Sequence, residues 1–334
     1  MKYRRLGRSN LQVSELCLGT MMFGDQTEAA DAASMLDRAR EHGVNYVDTA
    51  DVYTKGAAER MLGPLIARDR DDWVLATKAG NQMSNRPNES HYSRKWLVRE
   101  VDASLARLQT DYIDILYMHR DFEGEDLEEG LRTFDDLIRS GKIRYFGLSN
   151  FRGWRIAEVV RLCEQIGMPR PVVCQPYYNL LNRMPEVEVL PSCAHYGIGV
   201  TPYSPIARGV LTGKYQQGVA PEQGSRAARS ERRIMQTEWR TESLDIAQVL
   251  RDHAQQRGVS AVQFAVAWLL ANRIISSVIA GPRTPQQWDD YFGAVDYQWT
   301  AEDEALIDSL VAPGHPSTPG YSDPQYPFYG RILG

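Results

Sequence analysis

Four titratable side chains, Asp48, Tyr53, Lys78 and His119, fall at or just beyond the ends of short β-prone runs. Asp48 closes Tyr46-Val47-Asp48, and Tyr53 follows five residues later. Lys78 succeeds Trp73-Val74-Leu75-Ala76-Thr77, and His119 succeeds Ile113-Asp114-Ile115-Leu116-Tyr117-Met118. A carboxylate, a phenol, an ammonium and an imidazole brought together would form a site for proton transfer. Each has an ordinary explanation when taken singly. A strand-end Asp caps the next helix, a Tyr packs at a rim, a Lys is solvated and a His is structural. A fold that converges all four on one mouth would displace those explanations. Metal-assisted hydrolysis fits poorly, because the six histidines form no H-x-H or H-E-x-x-H pair.

The elements that must position these residues recur as strand-then-helix units. The strand runs begin with 16–18, 46–48, 73–77 and 113–118, followed by helical patterns over about 28–40, 57–67, 93–108 and 127–140. Runs at 144–148 and 172–174 precede helices at about 154–166 and 186–196. The seventh run, 198–201, leads into a long irregular stretch and then helices at about 244–257 and 261–271. The eighth, 277–280, precedes a helix at 286–292. Eight such units in series predict a parallel (β/α)8 TIM barrel, whose catalytic groups lie at the C-terminal ends of the strands. A doubly wound dinucleotide fold would show G-x-G-x-x-G after an early strand, and the chain has none. No Pro/Gly/Ser-rich linker divides the chain, so residues 1–334 read as one domain.

A barrel of about 250 residues leaves a surplus. It falls into an N-terminal segment at 3–14 with hairpin turn signals, an insertion at 203–243 after the seventh strand, and a Pro/Gly/Tyr-rich tail at 313–334. The last two are expected on the catalytic face.

Acidic residues outnumber basic ones, 43 to 38, and the densest basic stretch, 226–233, is short and interrupted by Glu231, so nucleic-acid binding is not expected. The longest apolar run, 264–271, is far below the roughly 20 residues of a membrane span. No signal-peptide h-region follows Met1-Lys2-Tyr3-Arg4-Arg5, and Cys17, Cys163, Cys174 and Cys193 form no C-x-x-C pair. A cytoplasmic protein with reduced cysteines is expected.

The chain resembles the aldo-keto reductases. The likeness rests on Asn45-Tyr46-Val47-Asp48-Thr49-Ala50 through Tyr53, Ala76-Thr77-Lys78, Tyr117-Met118-His119-Arg120, Gly141 to Asn150, Cys174-Gln175-Pro176-Tyr177-Tyr178-Asn179 and Tyr203-Ser204-Pro205-Ile206. Arg120 and Leu211-Thr212-Gly213-Lys214-Tyr215 place it on the bacterial and potassium-channel β-subunit side of that family. The resemblance implies an NADPH-dependent oxidoreductase that reduces aldehydes or ketones, with Asp48, Tyr53, Lys78 and His119 as its catalytic tetrad. Tyr53 would be the general acid, its pKa of about 10 lowered by Lys78, which Asp48 holds charged. His119 would orient the carbonyl.

The same resemblance implies cofactor contacts. Thr20, Met21 and Asp48 would lie near the nicotinamide end, Ser149, Asn150 and Gln175 would hold its carboxamide, and Tyr203 would stack on the ring. Ser204, Pro205, Ile206, Ala207 and Arg208, with Lys214, would line the pyrophosphate. Gly281 and Arg283, before a helix start, suit a 2′-phosphate and favour NADPH over NADH, with Gln287, Asp290 and Tyr291 at the adenosine. Ala280 and Tyr291 depart from the Pro and Asn common in the family. Met22, Phe23 and tail aromatics Tyr321, Tyr326, Phe328 and Tyr329 are candidate pocket walls. Arg120 and Arg208 could meet a substrate anion, with a structural ion pair the favoured role for Arg120. The partner is a small carbonyl compound, and the oligomeric state is open. The alternative is an NADPH-binding regulatory or redox-sensing subunit with slow turnover.

Overall fold

The computed structural model describes residues 1–327. Its first element is a hairpin, β1 (Tyr3–Arg5) and β2 (Gln12–Ser14), paired antiparallel with Tyr3 opposite Ser14. The hairpin plugs the N-terminal end of the barrel. Leu6 and Val13 are fully buried with Cys17, Tyr46, Ile115, Tyr117 and Val173, which project into the barrel interior. Gly7 makes the closest approach. It is left-handed (φ 57°), and a Cβ there would lie 2.6 Å from the Gly199 nitrogen.

Eight parallel strands follow: β3 (Leu16–Gly19), β4 (Tyr46–Asp48), β5 (Val74–Ala79), β6 (Ile113–Met118), β7 (Ile143–Ser149), β8 (Val173–Gln175), β9 (Gly199–Val200) and β10 (Val278–Ala280). Their order is β10-β3-β4-β5-β6-β7-β8-β9, so each strand lies beside the next in sequence and the last returns to the first. The seam between β9 and β10 closes through a bridge from Val200 to Ile275, with Ser276 N donating to Val200 O at 2.8 Å and Ile279 N to Pro202 O at 3.1 Å. This is the expected (β/α)8 barrel.

The helices follow the periodicity in the sequence. α1 spans Ala29–Glu41, α2 Ala57–Ile66, α3 Arg94–Leu108, α4 Leu127–Arg139, α5 Gly153–Ile166 and α6 Val189–Tyr196. Leu131, Phe134 and Leu137 turn the buried stripe of α4 to the barrel, while Asp126 caps its start by accepting from Glu128 N. The insertion after β9 is not wholly irregular, since it carries α7 (Arg232–Thr237), too short to show a helical period. α8 (Thr241–Gln256), α9 (Ala261–Ala271) and α10 (Pro285–Phe292) complete the ring. α9 is buried on nearly every face because α8 and α10 both pack on it. A further helix, α11 (Ala301–Leu310), lies outside the eight units. Its signal is the capping box of Thr300 with Asp303.

Inside the barrel, Tyr46 and Tyr117 join hydroxyls at 2.8 Å. Gly147 makes room for them, because a Cβ there would sit 2.7 Å from the Tyr117 ring. The pair forms a floor beneath the strand ends, and Lys78 Nζ lies 5.9 Å from the Tyr117 ring centroid.

Candidate active site

The four titratable groups meet at the C-terminal ends of β4, β5 and β6. Lys78 Nζ donates to Asp48 Oδ1 at 2.5 Å, to Thr49 O at 2.7 Å and to the Tyr53 hydroxyl at 3.1 Å. The Tyr53 and His119 rings stand edge-on with centroids 6.0 Å apart. Asp48 and Lys78 are almost wholly buried, with side-chain exposures of 3% and 1%. Burial pulls the Lys78 ammonium down, but Asp48 and Tyr53 together outweigh it, and the net shift is upward. Lys78 therefore stays charged.

Tyr53 behaves differently from the sequence expectation. Burial pushes its phenol up, and this exceeds the downward pull of Lys78. Tyr53 is consequently a neutral O–H beside a fixed cation rather than a phenol with a depressed pKa. His119 is also neutral. Burial, then the Lys78 and Arg120 charges, lower its imidazolium well below the usual value, and its Nδ1 is buried without a protein partner.

The turn that presents Tyr53 is strained. Thr54, Lys55 and Gly56 are all left-handed, with φ of 46°, 53° and 82°. Thr54 Oγ1 donates to Phe23 O at 3.0 Å, and Arg107 crosses beneath Gly56, where a Cβ would approach its Cδ to 2.8 Å. Arg107 pairs with buried Glu59 at 2.6 Å and Glu100 at 2.5 Å, and Glu59 accepts from Thr77 Oγ1, next to Lys78, at 2.6 Å. None of these three was singled out in the sequence. The available signal is the seven-residue spacing that puts Glu100 and Arg107 on one face of α3.

A hydrogen-bond chain extends the tetrad across the mouth. Gln175 Nε2 donates to Asp48 Oδ2 at 2.9 Å, Ser149 Oγ to Gln175 O at 3.0 Å, and Asn150 Nδ2 to both Ser149 Oγ and His119 O at 3.0 Å. The Tyr203 hydroxyl donates to Asn150 Oδ1 at 2.8 Å. Asn150, Ser204, Ala207 and Arg208 are left-handed (φ 49° to 58°), a concentration of unusual backbone around one opening.

These groups face a cavity of about 510 Å³. Asp48, Tyr53 and His119 line it, together with Thr20, Met21, Met22, Ser149, Asn150, Gln175, Tyr203, Ser204, Pro205, Ile206, Arg208, Lys214, Gly281, Arg283, Gln287, Asp290 and Tyr291. Ala207, Phe23 and Arg120 are not among its lining residues: Ala207 and Phe23 are fully buried in the packing around it, and Arg120 is half-buried. Arg226, Arg233, Ser260 and Gln325 also line the cavity and were not read from the sequence. Three of them come from the insertion and the tail, where no periodicity assigns a direction to a side chain. Of the tail aromatics, Tyr326 is a wall, whereas Tyr321 packs over Arg240 with its ring centroid 3.8 Å from the guanidinium carbon. Phe328 and Tyr329 lie outside the described residues.

The cavity cations divide into two kinds. Arg208 pairs with buried Glu238 at 2.5 Å, Arg226 with Glu231 at 2.6 Å, and Arg233 with Asp323 at 2.6 Å. Lys214 and Arg283 have no carboxylate partner among the described residues. They follow β9 and β10, on the opposite side of the barrel from β5 and β6. Arg120 also lacks an ion-pair partner among the described residues, contrary to the structural role expected for it.

The aldo/keto reductase family profile matches residues 15–312. The chain belongs to this family. Among its relatives is a probable voltage-gated potassium channel subunit beta of Arabidopsis thaliana, 37% identical over 89% of this chain and 92% of the relative. An uncharacterized oxidoreductase of Bacillus subtilis, YrpG, is 33% identical over 96% of this chain and all of its own length. An L-glyceraldehyde 3-phosphate reductase of Escherichia coli O157:H7 is also 33% identical, over 94% and 93%. The fold, the family profile and the two named oxidoreductases mark this aldo/keto reductase chain as an oxidoreductase. No helix among the described residues is long and apolar enough to cross a membrane.

Proposed function

We propose that this protein reduces aldehydes or ketones to alcohols with NADPH. The observation that carries the reading is the Tyr53 hydroxyl held 3.1 Å from a buried, charged Lys78 at the wall of the cavity. A bound reduced nicotinamide supplies the hydride. Tyr53 supplies the proton to the carbonyl oxygen, and the Lys78 ammonium stabilises the phenolate left behind. Asp48, anchored by Gln175, keeps Lys78 charged and aimed. His119, uncharged, donates its N–H to the carbonyl oxygen and fixes which face is presented. The buried, partnerless Nδ1 of His119 fits a site in which a further polar group docks.

The donor set also fits the dinucleotide. Ser149, Asn150 and Gln175 offer amide and hydroxyl groups beside the reacting centre, with the Tyr203 ring as a platform. Across the mouth, Lys214 and Arg283 supply cations that no carboxylate among the described residues neutralises, as phosphates require. Arg283 is the residue that favours NADPH over NADH. The volume lies within the range of small-molecule sites.

The channel-subunit relative favours a second reading, in which NADPH is bound and turned over slowly as a regulatory signal. A panel of aldehydes and ketones, assayed by loss of NADPH or NADH absorbance, separates the two. Turnover with NADPH preferred is the expected result. Tight binding of NADPH with no carbonyl-dependent oxidation would sink the reductase reading.

A further inference from the structure

Arg120 is the residue after His119, and its backbone is fixed from both sides by one hydroxyl. Tyr92 Oη donates to Arg120 O at 2.5 Å, and Arg120 N donates to Tyr92 Oη at 3.1 Å. Its half-buried guanidinium packs over two aromatic rings, 5.3 Å from the Phe122 centroid and 5.2 Å from that of Tyr326. Aromatic packing engages the faces of a guanidinium, whereas carboxylates and phosphates bind at its N–H edge. That edge is unused. Nε is buried with no acceptor, and the side chain makes no ion pair among the described residues.

The neighbouring acids are committed elsewhere. Asp121 pairs with Arg155 at 2.9 Å, and Glu125 Oε1 lies 3.2 Å from His91 Nδ1. The lining arginines of the insertion each have a carboxylate of their own. Arg120 is therefore an arginine on the Tyr53 and His119 side of the mouth with no ion-pair partner among the described residues. Arg120 does not line the cavity itself, but its guanidinium packs on the ring of Tyr326, which does. Its field already reaches the site, since it is one of the charges that keep His119 neutral.

We propose that Arg120 selects the substrate by receiving an anionic group, a carboxylate or a phosphate, at the edge of the Tyr326 ring. This rests on the reductase reading and narrows it to carbonyl compounds that carry a negative charge near the reacting carbon. Arg120 then acts on specificity and not on proton transfer.

The test compares two matched substrate pairs with NADPH: glyceraldehyde against glyceraldehyde 3-phosphate, and benzaldehyde against 4-carboxybenzaldehyde. The pairs distinguish phosphate from carboxylate. Wild type is expected to favour at least one charged member in kcat/KM by about tenfold or more, as a charge-assisted bond allows. Arg120→Met should cut that charged-to-neutral ratio by about 10- to 100-fold, and Arg120→Lys by less. A structural defect would lower both members alike and leave the ratio intact, which would overturn the assignment. Should Arg120→Met fail to fold, competitive inhibition of wild-type benzaldehyde reduction by benzoate or inorganic phosphate supports the proposal, and inhibition by neither overturns it. No NADPH oxidation with any of the four aldehydes overturns the reductase reading and the assignment with it.

Discussion

The strand ends and the loop-built rim hold their charges in opposite ways. At the strand ends, Lys78 and Asp48 are paired out of reach of water, with side-chain exposures of 1% and 3%. At the rim, Arg233 of α7 grips Asp323 of the tail with exposures of 24% and 11%. Buried pairs depend steeply on both partners, because removing one strands the other in a low-dielectric interior. Partly exposed pairs are screened and lose little. The candidate tetrad is thus built where it cannot drift, and the rim where a change costs little.

The largest effect should come from the base of the site. Tyr53→Phe removes the transferable proton and is expected to slow reduction by about 10²- to 10⁴-fold. NADPH binding, followed by quenching of protein fluorescence, should survive. Lys78→Met strands Asp48 and should lower the unfolding free energy by about 3–5 kcal/mol in denaturant titrations. The double variant Lys78→Met/Asp48→Asn should recover part of that loss, which would show that the pair acts as a unit.

The pH dependence sharpens the contrast. In the proposed mechanism reduction needs the Tyr53 proton, and burial raises the phenol pKa, so kcat should stay level through neutral pH. It should fall only above about 10. Alcohol oxidation needs the phenolate and should rise over the same alkaline range. No inflection should occur near about 6.5, because His119 is already neutral there. An acid limb at that pH in kcat would contradict the neutral imidazole.

The smallest effect belongs to the rim. Asp323→Asn should change stability by less than about 1 kcal/mol and raise KM by no more than about fivefold. A loss as large as that of Lys78→Met would erase the distinction between the two regions.

The base of the site was legible in the sequence for a physical reason. Barrel strands are short apolar runs whose C-terminal ends lie at the mouth, so Asp48, Lys78 and His119, each at a strand end or within one residue of it, could be placed by counting. The strand order followed from the same pattern, and the N-terminal hairpin from its turn signals. What stayed hidden depends on packing across distant segments. The burial that raises Tyr53, the reach of Arg107 from α3 to Glu59 of α2, and the pairing of Arg208 with Glu238 join residues with no shared period. Arg120 shows this most clearly. From sequence it reads as an ion-pair partner, yet the acids beside it are occupied and its N–H edge is left open.

The central claim is that Tyr53, poised by Lys78, gives up the proton. Single-turnover oxidation of enzyme-bound NADPH by a reactive aldehyde, in wild type and in Tyr53→Phe, tests it most directly. Rapid oxidation in wild type and a loss of at least about 100-fold in the variant, with NADPH still bound, is the predicted result. Oxidation at a near-normal rate in Tyr53→Phe would contradict it.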